Sequence, residues 1–339
     1  MIQMQINLSA ILKNITAIKQ ITGKKVIPVI KSNAYNFGDV EVCKYLADNG
    51  IEYFAVVDTE EARRLIAAEV KANILVLNGA LPEEMEFYEQ NSNLIISVNS
   101  YKEALDIIQN YWGEHLQVHL QIDTGMNRLG IKTVEECKET IAVLRTANIA
   151  IEGIYTHFSS LNNLEKQEKE FKKYTQLAKF SMIHCAATST YAATTIGNYV
   201  RVGLGIYGYE TNDQFTQALS IFATPLTIND IKAKETVGYS EAFIAPHDMR
   251  VAVLPIGYSN GYSRNLSGFD VYAAGQRYKV IGKVCMNHLF VAVDEHVNMD
   301  TKFYITCQEL SVKEMASYLK TIEHEILCMF NIKNREYLK

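Results

Sequence analysis

Eight short runs rich in β-branched residues alternate with longer amphipathic stretches over the first two-thirds of this chain, and that rhythm limits the folds open to it. The runs are VIPVIK (Val26 to Lys31), YFAVV from Tyr53, NILVL from Asn73, LIISV from Leu94, LQVHLQID from Leu116, IEGIYTHF from Ile151, MIHCAA from Met182 and VRVGLGIYG from Val200. Segments such as EEARRLIAA, YKEALDIIQNY and VEECKETIAVLRTA lie between them, with apolar residues at i, i+3, i+4 spacing that marks one face of a helix. Repeated βα units build a parallel sheet, and eight of them close most simply into a (β/α)8, or TIM, barrel. The fold class is therefore α/β.

After about Thr224 the texture changes to strand-like runs divided by Gly, Asn and Ser turns, with little helix before VKEMASYLK. The expected organisation is a barrel over residues 9–224 and a mostly β domain over 225–339. The opening MIQMQINL, residues 1–8, alternates like a strand and is expected to join that second domain.

The chain's 339 residues are 48% hydrophobic, enough for a sizeable core, and its net charge of −5 is spread along the sequence. No basic stripe marks a nucleic-acid surface. The N-terminus lacks a basic leader, and no run is apolar for long enough to span a bilayer, so a cytoplasmic protein is expected. Six cysteines without a C-x-x-C pair fit reduced thiols rather than a zinc site, and the scattered histidines, including His115 and His119, show no ligand spacing; no metal is expected.

In the fifth run Gln117, His119, Gln121 and Asp123 share one face, and the apolar residues share the other. A polar row pointing into a barrel predicts a lined cavity in place of the usual branched aliphatic filling. Active sites of such barrels lie at the carboxyl ends of the strands. Lys31 closes the first run and Tyr35 follows; Arg128 follows the fifth, His157 ends the sixth, Thr188 follows the seventh, and Arg201 and Gly203 lie on the eighth. A lone lysine there would by default reach out into water. Thr188 and Gly203 stand where barrels often bind phosphate, because small residues let backbone N–H groups approach its oxygens. GLGIYG also matches G-x-G-x-x-G, but no helix opens after it, so a dinucleotide site is disfavoured. A strand-end lysine facing a phosphate site, beside arginines that ease its deprotonation, points to Schiff-base chemistry with pyridoxal 5′-phosphate.

VIKSNAYNFG, DTGMNRLG, THF, RVGLGIYG, VGYSEAF, PIGYSNGY and GKVCMNHL together resemble, in order and over nearly the whole chain, the motifs of bacterial alanine racemases, a family of fold type III pyridoxal-phosphate enzymes. The resemblance implies interconversion of L- and D-alanine, with supply of D-alanine to cell-wall peptidoglycan. It also implies a homodimer in which each site joins one subunit's barrel to the other's C-terminal domain. By position, Lys31 would bind the cofactor and act as base on one face of the α-carbon, and Tyr239 of the partner copy would act on the other. Arg201 would face the pyridine nitrogen; Tyr35, Thr188, Gly203 and Tyr337 would lie on the phosphate side; His157 would stack on the ring. Arg128 would meet the substrate carboxylate, and Tyr258 and Met286 would line the entrance.

Several residues depart from the family's pattern. Ser32, Asn36 and Phe37 follow the lysine where Ala, Gly and His are common; Gln121 replaces a lysine that steadies the arginine at position 128; Ala187 stands for Asn and Asn287 for Asp; and KNREYL lacks a proline. Rival readings are a serine or broad-specificity racemase of the same fold, a barrel decarboxylase using Cys285, and a catalytically silent pyridoxal-phosphate-binding protein.

Overall fold

A computed structural model describes residues 1–209 and 214–339. The chain divides into two compact units, one comprising Leu12–Ile206 and the other Met1–Ile11 with Tyr207–Lys339. Strand β1 (Ile2–Asn7) leads into a helix over Leu8–Thr22, after which come the strands of the first unit: β2 (Lys25–Pro28), β3 (Tyr53–Val56), β4 (Asn73–Val76), β5 (Leu94–Val98), β6 (Gln117–Gln121), β7 (Ala150–Tyr155), β8 (Met182–His184) and β9 (Tyr199–Val202).

These eight form one sheet in the order β2-β9-β8-β7-β6-β5-β4-β3, with every pair parallel. A bridge between Val29 and Ala55, with the Ile30 N–H donating to the Ala55 carbonyl at 2.8 Å, joins the two ends, so the barrel expected from the eight runs is present. The strands are short and buried on both sides, as in β5, because helices cover the outside and side chains fill the inside. Helix starts are set by the residues just before them. Asp58, Ser100 and Thr133 each accept the N–H three residues on, satisfying a donor that has no partner within the helix.

The first strand ends sooner than its apolar run. Regular pairing stops at Pro28, and Lys31 opens a left-handed turn in which Ser32, Asn33, Ala34, Tyr35 and Asn36 all have φ between 54° and 72°. Left-handed backbone costs a non-glycine residue roughly 1–2 kcal/mol, so the turn must be held from outside. Glu61 accepts the Ser32 N–H at 2.5 Å, Asn33 accepts the Asp39 N–H at 3.0 Å, and Ala34, Tyr35 and Phe37 are buried.

In the second unit β1 lies between β10 (Leu219–Ala223), its antiparallel partner, and the last strand, β19 (Arg335–Leu338), its parallel partner. Strands β11 (Thr227–Ile231), β14 (Met249–Leu254), β15 (Asp270–Ala273), β16 (Gln276–Ile281), β17 (Leu289–Val293) and β18 (Phe303–Thr306) complete a nine-stranded sheet. A hairpin of β12 (Thr236–Val237) and β13 (Phe243–Ile244) stands apart from it in pairing, but Val237 packs with Val251 and Ile281 in a small core. Among the described residues no helix is long and apolar enough to cross a membrane, and no cluster of His, Cys, Asp and Glu could hold a metal ion.

Candidate active site

Lys31 is half-buried at the start of the left-handed turn, and the turn carries Tyr35 inward. The Tyr35 ring reaches Gly203, where any Cβ would collide with its hydroxyl, so glycine is required for the two segments to approach. Two residues on, the Gly205 N–H donates to the Thr188 hydroxyl at 3.2 Å. Tyr35, Thr188 and Gly203 therefore meet at one corner of the barrel, with two hydroxyl groups and backbone amides gathered at the strand ends.

Cations gather near His157, at the ends of neighbouring strands. The His157 imidazole is pushed down to about 3 by burial first and then by the positive charges of Arg201, Arg128 and Lys31. The same field places these four side chains in one neighbourhood, and no carboxylate is among the groups acting on His157. Such a site is matched to an anion.

Arg201 is almost fully buried and rests over the Tyr155 ring, 4.5 Å from its centroid. Its Nη1 donates to His184 Nδ1 at 2.5 Å and to the His184 carbonyl at 3.1 Å, and its Nη2 donates to the Thr156 carbonyl at 2.8 Å. Nε–H donates to none of the described residues, which leaves one fixed donor for a ligand.

Arg128 is exposed and makes no hydrogen bond or ion pair with a described residue, but its loop is tightly specified. Asp123 accepts the N–H groups of Gly125 and Asn127 at 2.9 and 3.0 Å, Thr124 meets Thr156 at 2.9 Å, and Gly130 has φ +124° with no room for a Cβ against the Asp123 amide. Gln121 makes no hydrogen bond with Arg128. It accepts a 2.5 Å hydrogen bond from the Tyr155 hydroxyl and donates to the Leu129 carbonyl at 3.1 Å, so it braces the loop beside the arginine.

The polar row of β6 points inward as expected, but it does not line an open cavity. His119 Nδ1 lies 2.9 Å from His184 Nε2, and His184 stacks on Tyr155 at 4.8 Å, so these side chains fill the barrel. The partnership of His184 with Arg201 was not expected from sequence. Both histidines fall on strand positions that face inward, and that alternation was the signal available.

The second unit carries the remaining residues. Tyr239 begins a short 3-10 turn after Gly238, whose φ of +78° favours glycine, and it is 69% exposed. Tyr258 and Met286 are brought together: the Tyr258 N–H donates to the Cys285 carbonyl, and Ser259 bonds the Met286 carbonyl through both its N–H and its hydroxyl. Asn287 joins the same loop through Ser259 at 2.8 Å. Cys285 is buried beneath it, its thiol pushed up by burial and donating to the Lys283 carbonyl. Tyr337 lies on β19, half-buried, in register with Ile6.

The alanine racemase N-terminal domain model matches residues 6–211 and the alanine racemase C-terminal domain model matches 218–337. The chain is 32% identical to an alanine racemase of Staphylococcus epidermidis, over 96% of this chain and 91% of that one, and 32% identical to alanine racemase 1 of Bacillus subtilis, over 96% and 89%. Among solved structures, the alanine racemase of E. faecalis matches with a TM-score of 0.92 at 28% identity, covering 99% of this chain and 98% of that one. The alanine racemase of Bacillus anthracis with bound L-Ala-P matches with a TM-score of 0.89 at 25% identity, over 99% and 94%. Two domain models in tandem over nearly the whole length, on a barrel with a strand-end lysine, show that the chain belongs to the alanine racemase family.

Proposed function

We propose that this protein is a pyridoxal 5′-phosphate-dependent racemase that interconverts L- and D-alanine by two-base proton transfer, supplying D-alanine for peptidoglycan. The observation that carries this reading is the meeting of Lys31, Arg128 and Arg201 around a neutral His157 at the carboxyl ends of barrel strands. The residues present fit the cofactor. Arg201 Nε–H is a donor awaiting an acceptor, and Tyr35, Thr188 and the backbone near Gly203 and Gly205 offer the small, polar corner that a phosphate requires.

When bound, the cofactor supplies an electron sink for the pair left on the α-carbon as its proton departs. The protein's residues do the rest. Lys31 holds the cofactor and exchanges a proton on one face of the substrate. Tyr239 of a second copy exchanges a proton on the opposite face, since inversion requires removal from one side and return on the other. Arg201, which stays protonated, donates a hydrogen bond toward the ring nitrogen without transferring its proton. His157, held neutral, presents an uncharged face to the ring, and Arg128 offers its guanidinium to the substrate carboxylate. Tyr258 and Met286 frame the entrance. The assembly is a homodimer with shared sites, which gives the exposed Tyr239 its place of work.

Purified protein given cofactor and L-alanine is expected to produce the D enantiomer, and Lys31→Ala and Tyr239→Phe are expected to slow this by about 10²–10⁴-fold. Retention of full activity in both variants overturns the two-base assignment. Faster racemisation of serine or lysine than of alanine overturns the substrate assignment.

A further inference from the structure

A file of hydrogen bonds runs through the barrel from Arg201 to the opposite rim. Arg201 Nη1 meets His184 Nδ1 at 2.5 Å, His184 Nε2 meets His119 Nδ1 at 2.9 Å, His119 Nε2 meets Glu152 Oε2 at 3.1 Å, and Glu152 Oε1 accepts the Tyr53 hydroxyl at 3.0 Å. Both imidazoles are fully buried, whereas the Glu152 side chain is 16% exposed. Tyr53 opens β3 and lines a surface concavity with Glu52 and Asn73. One end of the file therefore touches solvent and the other end holds the guanidinium.

The proton positions along the file are forced. A guanidinium only donates, so His184 Nδ1 must accept and the His184 proton sits on Nε2. That proton is donated to His119 Nδ1, which places the His119 proton on Nε2, where the Glu152 carboxylate receives it. Reversing His184 would set its Nδ1–H against an arginine N–H, and reversing His119 would set its Nδ1–H against the His184 Nε2–H and leave a bare Nε2 facing the carboxylate. Both imidazoles are kept neutral, chiefly by burial, and the bonds from His119 and Tyr53 hold Glu152 ionised against the opposing pull of its own burial. Nothing but the carboxylate terminates the file with a pure acceptor.

Sequence and packing are arranged around this. Gly153, next to Glu152, lies against the His119 ring, and a Cβ there would come within 2.8 Å of Cε1 and Nε2. A buried polar file in a barrel that could be filled with aliphatics is a cost to stability unless every group is satisfied, as these are. Among the groups acting on Arg201 there is no carboxylate in direct range. Glu152 is the negative charge that reaches it, through two rings.

We propose that Glu152, acting through His119 and His184, is a positioning residue for the reaction: it fixes the tautomers that lock the Arg201 guanidinium with its Nε–H turned to the cofactor site. This rests on the reading of Arg201 as the residue facing the cofactor ring. The role parallels that of a buried carboxylate that holds a catalytic histidine in one tautomer, except that here the group oriented is two rings away.

The test combines ¹⁵N-histidine NMR with kinetics on wild type, Glu152→Gln and Gly153→Ala. In the wild type, with or without cofactor, both His119 and His184 are expected as Nε2–H tautomers. In Glu152→Gln, whose amide can accept or donate, a mixture is expected, together with a shifted visible absorption band of the cofactor-loaded protein and kcat lowered by about tenfold at nearly constant KM. Gly153→Ala is expected to do the same by displacing the His119 ring. If it fails to fold, Glu152→Gln, a near-isosteric change at a partly exposed side chain, decides alone. Wild-type histidines in the other tautomer, or a Glu152→Gln protein with unaltered tautomers, spectrum and kcat, overturn the proposal, and so does a tautomer change with kcat unmoved. Failure of the wild type to racemise alanine would sink the functional reading instead, and the tautomers would still report on the file.

Discussion

His157 is buried within the field of three positive charges, and burial first and then that field lower its proton affinity. Its value of about 3 in the fold lies below its ordinary 6.5, so between these values the unfolded chain binds a proton that the native state refuses. The associated stability is present above pH 6.5 and is lost as pH falls toward 3. Denaturant titrations over that range should show a shallower acid loss for His157→Phe than for the wild type; parallel curves would mean that the fold does not lower the proton affinity of His157. The cations behind this effect were legible from residue type and place: Lys31, Arg128 and Arg201 each follow or lie on a run that reads as a strand. His184 was not legible as their partner, because its contact with His119 joins residues 65 positions apart and depends on which strands the sheet makes neighbours. Gln121 illustrates a related limit. Its residue type announced the loss of a charge beside Arg128, but only the three-dimensional neighbourhood shows the amide bridging Tyr155 and Leu129.

At the scale of elements, short runs rich in β-branched residues located all eight barrel strands, since a strand buried on both faces leaves a continuous apolar run. The end of the first strand escaped it. Val29, Ile30 and Lys31 continue the apolar run and its terminal charge, but five residues of left-handed backbone follow without a glycine, and no propensity predicts that. Their conformation is imposed by Glu61, Asn33 and the burial of Tyr35. A milder case lends itself to measurement. The β15–β16 hairpin turns through Ala274 and Gly275 at φ 47° and 82°, the geometry of a type I′ turn, which favours Asn-Gly. Ala274 is exposed, so Ala274→Asn should raise stability by about 1 kcal/mol or somewhat less, read as a higher denaturant midpoint with an unchanged slope. A lower midpoint would show that the turn is not the strained one described.

For the molecule as a whole, the proposed shared site makes a prediction by subunit mixing. Lys31→Ala and Tyr239→Phe proteins, each nearly inactive, should regain activity when unfolded together and refolded, because a mixed dimer assembles one site with both intact residues. Random pairing gives about a quarter of the wild-type rate, whereas no recovery would mean that both residues serve from one chain. The two-part layout was legible from the change of texture near Thr224, but the strands of the second unit could not be ordered from sequence, because antiparallel runs of similar length carry no label of their neighbour. That sheet has a further implication for biosynthesis. Strand β1 waits more than two hundred residues for β10, and its other side is closed only by β19, with Gln5 hydrogen-bonded to Glu336 across 331 positions. A nascent chain leaving the ribosome carries β1 with an open edge until β19 has been made, while the barrel, whose contacts are nearer in sequence, is free to close beforehand.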